Sequence, residues 1–427
     1  MRIAIIGGGV IGLTTAFALI KKGHSVDLFE QESDVGQATS FANGGQLSYR
    51  YVSPLAEADV PLQALGWMFN ADAPLRFRPQ LSWQQWQWCW RFLTACRQSV
   101  NQRNGAHLLR LALFSQSVLH DWQKNEALGD FSWRANGKLV IYRDQSHFHH
   151  ATHKLKSDAL QQILNAEACV AAEPALAHLA SELQGGIFSA GDEVGDCHLF
   201  CQRLLASLQQ HPHFTLHTEQ RITGLKVEQG RVRALVLENG HSQAEPFEVE
   251  QLVVAAGMGS LGVLKSVGIK VPLYPLKGYS LTLPVADLST VPNTNVTDYD
   301  KKIVYARLDQ QLRVAAMVDI GGKEFGGKES GRYKAELDAG RIALLRQQAQ
   351  ASFPDAGDFS HATPWAGFRP ATPEGTPIIG ATTINNLWLN LGHGSLGFTL
   401  ACGSAQVLAN LINNETSPID LTGLQGQ

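Results

Sequence analysis

The first thirty residues place apolar and polar positions in an order typical of a strand, a helix and a second strand. An apolar run at residues 3–6 is followed by apolar positions at helical intervals, and a second apolar run closes at Glu30. Gly7, Gly9 and Gly12 stand where the first strand would turn into the helix. The pattern predicts a βαβ unit at the N-terminus.

Two α/β stretches far apart in the chain are predicted, with a largely helical segment from residue 56 to about 165 between them. Later elements, in chain order, are a helix at 198–209, a strand at 213–218, a hairpin of 221–228 with 231–238, strands at 252–257, 278–284, 303–308 and 312–318, a helix at 331–352, a strand at Leu387–Leu391 and a helix to about Ile412.

The three glycines have the G-x-G-x-x-G spacing of a dinucleotide-binding turn. In that motif Gly7 permits the tight turn, Gly9 lets the backbone approach a pyrophosphate, and Gly12 lets the helix pack closely on the strand. The phosphates are then expected at the helix N-terminus, where free N–H groups at Val10 and Ile11 attract negative charge.

Glu30 closes the unit and is expected, with the adjacent Gln31, beside the adenosine ribose. A carboxylate there accepts hydrogen bonds from ribose hydroxyls and disfavours a 2′-phosphate. The motif therefore predicts NAD or FAD rather than NADP, and it does not separate the first two.

Three glycine-rich segments lie where they could reach a cofactor: the polar loop at 39–46, the end of a strand at Ala256 and Gly257, and the turn at 392–397. Polar loops of this kind either turn at the surface or wrap a polar ligand, and ligand wrapping is favoured directly after the nucleotide unit. A cofactor domain assembled from such distant pieces favours FAD, because NAD dehydrogenases of this size more often keep the nucleotide domain contiguous.

Composition narrows the class of protein. A chain of 427 residues is too long for one core, so two or three domains are expected, and 44% hydrophobic residues are typical of a soluble globular protein. The net charge of −3, without a basic run, argues against nucleic acid as a partner. No stretch reads as a signal peptide or a membrane span, so a cytoplasmic location is expected. The six cysteines are scattered, so no metal site is predicted.

Five of the nine tryptophans lie within 24 residues, at Trp67, Trp83, Trp86, Trp88 and Trp90. Indoles in such a cluster fill a helical core, line a substrate pocket or sit at a membrane interface. The sequence leaves these three interpretations open.

Several segments together resemble the FAD-dependent D-amino-acid oxidase superfamily. They are the N-terminal unit, the strand at 253–257, the segment 365–380 with its G-F-R-P core, and the G-H-G turn at 392–394. Within that superfamily, residues 39–48, 61–79 and 195–200 look like D-amino-acid dehydrogenases. The resemblance covers the chain from end to end.

The resemblance implies an α/β fold with a discontinuous Rossmann-like FAD-binding domain and an α+β substrate domain whose mixed or antiparallel sheet roofs the flavin. The expected ranges are 1–55, 166–270 and 365–427 for the FAD-binding domain, and 56–165 with 271–364 for the substrate domain.

The same resemblance implies oxidation of a D-amino acid to an imino acid, which hydrolyses to a 2-oxo acid and ammonia. Electrons would pass to a respiratory acceptor such as a quinone, with peripheral contact at the cytoplasmic face of the inner membrane. Two alternatives share most of these motifs: a dehydrogenase of D-proline or cis-4-hydroxy-D-proline, and an amino-acid oxidase that uses dioxygen. A non-enzymatic carrier of this fold would be expected to lose the three glycines, which are present.

Site residues follow from the resemblance. Arg369 would bind the substrate carboxylate, since a guanidinium matches a carboxylate with two parallel hydrogen bonds. Tyr279 and Tyr305 are further candidates for substrate contact, and no obligatory protein base is expected. FAD is expected to be non-covalent. Additional flavin contacts are expected at Ser40, Asn43, Gly44, Gly45, Gln46, Ala256, Gly257, His393, Gly394, Ser395, Leu396 and Gly397.

Overall fold

The computed structural model describes residues 1–57, 60, 73–126, 128–155, 160–238, 247–322 and 333–425. The helices within these ranges are α1 (Val10–Lys21), α2 (Trp83–Ala95), α3 (Gln98–Asn125), α4 (Gln145–Lys154), α5 (Ala166–Ala172), α6 (Cys197–Leu208), α7 (Ser260–Lys265), α8 (Ala339–Ser352) and α9 (Gly397–Ile412).

The strands are β1 (Arg2–Ile6), β2 (Ser25–Phe29), β3 (Gln46–Leu47), β4 (Leu75–Phe77), β5 (Lys138–Tyr142), β6 (Gln161–Leu164), β7 (Gly185–Ser189), β8 (Glu193–Val194), β9 (Phe214–His217), β10 (Ile222–Glu228), β11 (Arg231–Leu237), β12 (Gln251–Val254), β13 (Tyr274–Pro284), β14 (Asn295–Asp298), β15 (Ile303–Leu308), β16 (Gln311–Ile320), β17 (Thr363–Ala371), β18 (Ile378–Ala381) and β19 (Leu387–Leu391).

The first sheet has six strands in the order β18-β19-β12-β1-β2-β9, and only β18 runs antiparallel. Its central strands are buried on both faces, as a parallel sheet covered on two sides requires. Helices α1, α3, α6 and α9 form the core on one face, and the β10–β11 hairpin with α7 covers the other. This sheet contains the βαβ unit predicted from the N-terminal pattern, and its layers match the Rossmann-like domain that the resemblance implies.

The second sheet is mixed. Its main path runs β17-β13-β16-β15-β14-β5-β7-β6, and β4 pairs with β16. Most neighbours are antiparallel, while β14–β5 and β16–β4 are parallel. Helix α8 packs Ile342, Leu345 and Ala349 on its outer face. The inner face turns towards the first sheet, so the expected fold class is confirmed.

Several elements match the sequence prediction closely. The hairpin turns at Gln229 and Gly230, both with positive φ, and β19 has the predicted bounds. The predicted helix at 331–352 is wrong at its start. In the structure it begins at Ala339, because Asp338 caps it by accepting a hydrogen bond from the Arg341 N–H.

The region predicted to be largely helical also contains β4, β5 and β6. Strand β5 is fully buried between β14 and β7, and its run KLVIY lacks the alternation that marks a half-buried strand. A short apolar run between long helices was therefore read as helix.

The expected domain ranges differ from the packing in three places. Helix α3 packs on α1 and α9 in the first core, with Ser115 accepting a hydrogen bond from the Gly403 N–H. Strands β7 and β17 belong to the second sheet although they fall in ranges assigned to the cofactor domain. The chain passes from one sheet to the other inside the expected domain ranges. Domain boundaries that are predicted from sequence pattern alone do not show such passages.

Within the described residues, one helical segment, Gly394–Ile412, is long and apolar enough to cross a membrane by length and composition. The expectation that no stretch has this property needs that correction. Two thirds of its most apolar window (67%) is buried inside the protein, where it packs on α1 and α3, so the core of the cofactor domain accounts for its composition.

Candidate active site

A cavity of about 1240 Å³ lies between the two sheets. One end is lined by the turn after β1 and by Glu30, and the other by the inner face of the second sheet around Arg369. Among the residues expected to bind cofactor or substrate, all line this cavity except Gly12 and Tyr305.

Gly7 and Gly12 have no room for a side chain. A Cβ on Gly7, whose φ is +111°, would lie 2.7 Å from the Ala255 carbonyl oxygen. A Cβ on Gly12 would lie 1.8 Å from the carbonyl oxygen of Gly7. The turn is thus pressed against both the end of β12 and the first turn of α1, which is the close packing that the motif predicts.

The N-terminus of α1 opens onto the cavity. The residue at the N-cap is Gly9, which has no side chain to cap the helix, and the first turn contains no acid. The Val10 N–H, which was expected to be free for a phosphate, donates instead to Ser40 Oγ at 3.0 Å, so the loop at 39–46 is tied to the same turn. Backbone donors and the helix dipole together make this end a fitting site for a pyrophosphate.

Glu30 is oriented by two backbone donors. Its Oε2 accepts from the Gly8 N–H at 2.7 Å and its Oε1 from the Glu32 N–H at 3.0 Å. Burial raises the pKa of this carboxyl, while these hydrogen bonds oppose the rise. The neighbouring Gln31 is exposed along the same wall. The carboxylate is therefore held at the edge of the cavity where a ribose would lie.

The loop after Ser40 joins the two sheets. The Asn43 carbonyl accepts from Arg313 Nη1 at 2.8 Å, and its side-chain oxygen accepts from the Gly45 N–H at 3.0 Å. A Cβ on Gly44 would lie 3.1 Å from Val304 Cγ2, on β15. Gln46 Nε2 donates to the Val296 carbonyl at 3.3 Å. The loop therefore passes directly under the second sheet.

The third glycine-rich segment leads into α9. Gly394–Leu396 form one short 3₁₀ turn, and no side chain caps either this turn or the helix at Gly397. The His393 ring is buried and its Nε2 lies 2.9 Å from Ser404 Oγ. Burial lowers the pKa of His393 to about 3, so the imidazole is neutral in the physiological range. Backbone N–H groups, rather than this ring, are what the segment offers a ligand.

Arg369 lies on β17 and its guanidinium reaches across β13. It occupies the space over Gly278, where a Cβ would lie 2.4 Å from Nη2, and Nη1 donates to the Met317 carbonyl at 3.2 Å. Burial lowers the pKa of Arg369 to about 10. Within the described part of the chain it forms no ion pair with an acid. A partly buried cation left in that state is a binding site for an anion.

Met317 supports this arrangement and was not predicted. Its φ of +65° is unusual for a residue with a side chain, and it lies beside a register shift between β13 and β16. The bulge turns its carbonyl towards Arg369. A β-bulge leaves no mark in an apolar run such as VAAMV, so the sequence carried no signal for it.

Tyr279 and Tyr305, both expected at the substrate, belong to the outer core of the second sheet. Tyr305 does not reach the cavity, because alternation along β15 directs Val304 inward and Tyr305 outward, where it packs on Phe353. That expectation is wrong. Tyr279 lies at the cavity wall, yet its hydroxyl donates to Asp319 Oδ2 at 2.8 Å, and Asp319 is also bound by Arg341 at 2.6 Å.

The family model described as FAD dependent oxidoreductase (DAO) matches residues 2–411 of the chain. The chain belongs to this FAD-dependent oxidoreductase family. It is 50% identical over 423 residues to D-amino acid dehydrogenase 2 of Pseudomonas aeruginosa, covering 99% of this chain and 97% of that one. It is 40% identical over 426 residues to D-amino acid dehydrogenase 2 of Ralstonia nicotianae, covering 96% of each.

The fold of this family member resembles that of glycine oxidase from Bacillus cereus. The TM-score is 0.72, and the match covers 100% of this chain and 98% of the other at 17% sequence identity. This similarity confirms the fold, in which a Rossmann-like domain is combined with a second domain built on a mixed sheet.

The cavity of this oxidoreductase fits FAD. The open N-terminus of α1 suits the pyrophosphate, the oriented Glu30 suits the ribose, and Gly44 and Gly394 leave the backbone free to approach a flat ring. A Cβ on Gly257, in the same wall, would meet nothing within 4 Å. When bound, the flavin supplies the two-electron acceptor that no side chain of the site can provide.

Sequence reasoning missed a second group of cavity residues. Lys138 is fully buried on β5, donates to Ser48 Oγ at 2.9 Å, and lies 4.4 Å from the ring centroid of Tyr51. Burial lowers its pKa to about 8. Lys302 lies 3.4 Å from the ring centroid of Tyr299 in a similar pair. These residues come from separate strands and turns, and nothing in their local sequence sets them apart.

Proposed function

We propose that this oxidoreductase is a D-amino-acid dehydrogenase. It oxidises a D-amino acid to the imino acid, which water hydrolyses to a 2-oxo acid and ammonia. The observation that carries the proposal is the cavity-facing guanidinium of Arg369, which has no acidic partner among the described residues. The names of the relatives in Pseudomonas aeruginosa and Ralstonia nicotianae support the substrate class and its hand.

The residues of the site divide the work. Arg369 binds the carboxylate with two parallel hydrogen bonds and so fixes the substrate in the cavity. The sheet above it excludes water through apolar side chains such as Leu276 and Val304, which line the cavity. The N-terminus of α9 presents N–H groups where negative charge develops as the substrate is oxidised. The chain contributes binding, orientation and electrostatics, and positioning alone can supply much of such a rate.

The decisive experiment is anaerobic mixing of the purified yellow enzyme with amino acids of both hands. We expect D-amino acids to bleach the flavin absorbance and their L-enantiomers to leave it unchanged. D-Proline and cis-4-hydroxy-D-proline belong in the panel, because exclusive bleaching by these two would assign the enzyme to imino acids instead. A colourless protein, or bleaching by L-amino acids alone, would contradict the proposal.

We also propose that the electrons leave to a membrane quinone rather than to dioxygen, and that the protein contacts the cytoplasmic face of the inner membrane. Trp83, Trp86 and Trp90 support the membrane contact, because their indoles are 79%, 48% and 70% exposed on one face of α2. Exposed indoles on an amphipathic helix are typical of a membrane interface. Trp88 instead belongs to the core, and Trp67 lies outside the described residues.

Flotation with vesicles of anionic lipid tests the membrane contact. The wild type should float and a variant with all three indoles replaced by glutamine should stay in the soluble fraction. Ile163→Gln is the matched control, since that side chain is 53% exposed at the far edge of the second sheet. Oxygen consumption measured beside quinone reduction separates the dehydrogenase from a dioxygen-using oxidase.

A further inference from the structure

Helix α2 has two apolar faces. Trp83, Trp86, Trp90 and Leu93 follow one another at intervals of three and four residues, so they form one stripe, and all four are 48% exposed or more. On the opposite side of the helix, Trp88 and Phe92 are 3% and 9% exposed. A surface helix of a globular protein typically has one apolar face, which packs on the core. The exposed outer stripe of α2 therefore indicates a contact outside the protein.

The inner face of α2 lines the same cavity as Arg369. Trp88 Nε1 donates to the carbonyl of Ala371 at 3.0 Å, two residues beyond Arg369 on β17. Trp88 stacks on Phe92 with ring centroids 5.0 Å apart. The cavity therefore extends from the wall around Arg369 to the inner face of α2, and this part of it forms a branch.

This branch is apolar. Its walls include five residues of one hydrophobic cluster: Ala56, Leu75, Trp88, Phe92 and Leu276. The charged guanidinium of Arg369 lies at its inner end. An apolar passage is unfavourable for the amino acid, because its two charges would lose their hydration. It is favourable for a lipophilic molecule.

The charge on α2 agrees with an anionic bilayer on the outer side. Residues 83–97 contain no acid, and both of their charged side chains are exposed: Arg91, which is paired with Glu374 at 2.7 Å, and Arg97. Arg97 continues the exposed stripe one turn beyond Leu93. A basic residue beside exposed indoles favours the negative surface of a membrane.

We propose that the electron acceptor, an isoprenoid-tailed quinone, passes from the bilayer to the flavin site along the inner face of α2, between Trp88 and Phe92 on one side and β13 and β17 on the other. This rests on the proposed function. Oxidation of one amino acid to its imino acid releases two electrons and two protons, and reduction of one quinone to the quinol consumes the same number. The outer stripe would hold α2 against the lipid in which the quinone is dissolved.

The first test locates the quinone on the unaltered holoenzyme. A photoreactive azido-quinone is irradiated with the wild type in anionic vesicles, and the labelled peptides are identified. The labelled residues within each peptide are located by fragmentation. We expect label on Trp88 or Phe92, and its loss when excess unlabelled quinone is added. Label confined to the exposed stripe, or to peptides of the first sheet, would overturn the proposal.

The second test changes the width of the branch. Phe92→Trp should narrow it and lower the ratio of quinone-reductase to soluble-dye-reductase activity at least tenfold, with vesicle binding kept. Leu113→Trp adds the same indole at an exposed position of α3 outside the cavity, and it should keep the ratio near that of the wild type. Equal losses with quinone and dye in Phe92→Trp would overturn the path, because a merely structural defect lowers both. Failure of the proposed function is recognised separately, since no D-amino acid would then bleach the flavin in any variant.

Discussion

The nucleotide end and the substrate end of the cavity are built in different ways. At the nucleotide end, function lies in the backbone: Gly7 and Gly12 leave no space for a Cβ, and the N-terminus of α1 presents its N–H groups. At the substrate end, function lies in side chains such as Arg369 and Lys138, which come from strands far apart in the chain. The first end is local in sequence and the second is assembled only by the fold.

The difference explains how each end should respond to substitution. A backbone site has no spare volume, so any added atom forces strands and helices apart. A side-chain site lies on a sheet whose backbone hydrogen bonds do not depend on the functional side chains. Removal of one charged head group should therefore weaken ligand binding and leave the fold intact.

Gly12→Ala should give the largest effect. The new Cβ would lie 1.8 Å from the Gly7 carbonyl oxygen, so α1 must move away from β1. We expect a loss of several kcal/mol in the free energy of unfolding and a protein that does not retain FAD. Flavin absorbance after gel filtration and a urea melt measure both.

The matched control for that substitution is Gly105→Ala. Gly105 lies in α3, and its nearest contact for a Cβ would be ordinary, at 3.7 Å from Pro54 Cδ. Alanine there should raise stability by about 0.5–1 kcal/mol, since glycine weakens a helix interior. If Gly12→Ala melted like Gly105→Ala and kept its flavin, the turn would be less tightly packed than the structure has it.

Arg369→Leu should come next. Removal of a charge-assisted carboxylate contact from a partly buried site costs about 3–4 kcal/mol, which is a fall of about 100- to 1000-fold in kcat/KM. Arg369→Lys should recover only part of this, because an ammonium cannot make two parallel hydrogen bonds. Steady-state kinetics with D-alanine and a dye acceptor measure both, and the flavin content should stay at the wild-type value. Wild-type efficiency in the leucine variant would remove Arg369 from the substrate site.

The same contrast decides how much could be predicted from the sequence. Gly7, Gly9 and Glu30 line the cavity, as a short motif with fixed spacing predicts, while Gly12 lies behind it and lets α1 pack on the Gly7 turn. Tyr305 was misplaced because its direction depends on the register of β15, which two neighbouring strands decide. Met317 and Lys138 could not be found at all. A bulge and a buried lysine acquire their roles from strands that are distant in the chain.

Lys138→Met should reveal the cost of a buried lysine. The pKa of Lys138 falls from 10.5 to about 8 in the folded protein, so between those values the unfolded chain holds a proton that the native state has lost. Stability of the wild type relative to the variant should therefore rise with pH above about 8, by roughly 2 kcal/mol up to pH 9.5. Urea melts at several pH values measure the difference.

The exposed Lys226, replaced by Met in the same way, is the control for Lys138. Urea melts of that variant at the same pH values measure the effect of losing one exposed positive charge. A flat difference for Lys138→Met would mean that water reaches its amine in the folded protein. The substrate end would then be more open than its buried strand suggests.

Tyr305→Phe should have the smallest effect, and it tests the boundary between the two kinds of site. The hydroxyl of Tyr305 is buried, has no hydrogen-bond partner among the described residues, and faces Phe353 on the far side of the sheet. Its removal should change stability by no more than about 1 kcal/mol and leave kcat/KM for D-alanine within about twofold. Tyr279→Phe, which breaks the bond to Asp319, should cost more stability, about 1–3 kcal/mol. A tenfold loss of kcat/KM in Tyr305→Phe at unchanged stability would contradict this boundary. Because Tyr305 does not line the cavity, such a loss would mean that the outer face of the second sheet affects catalysis through the sheet itself.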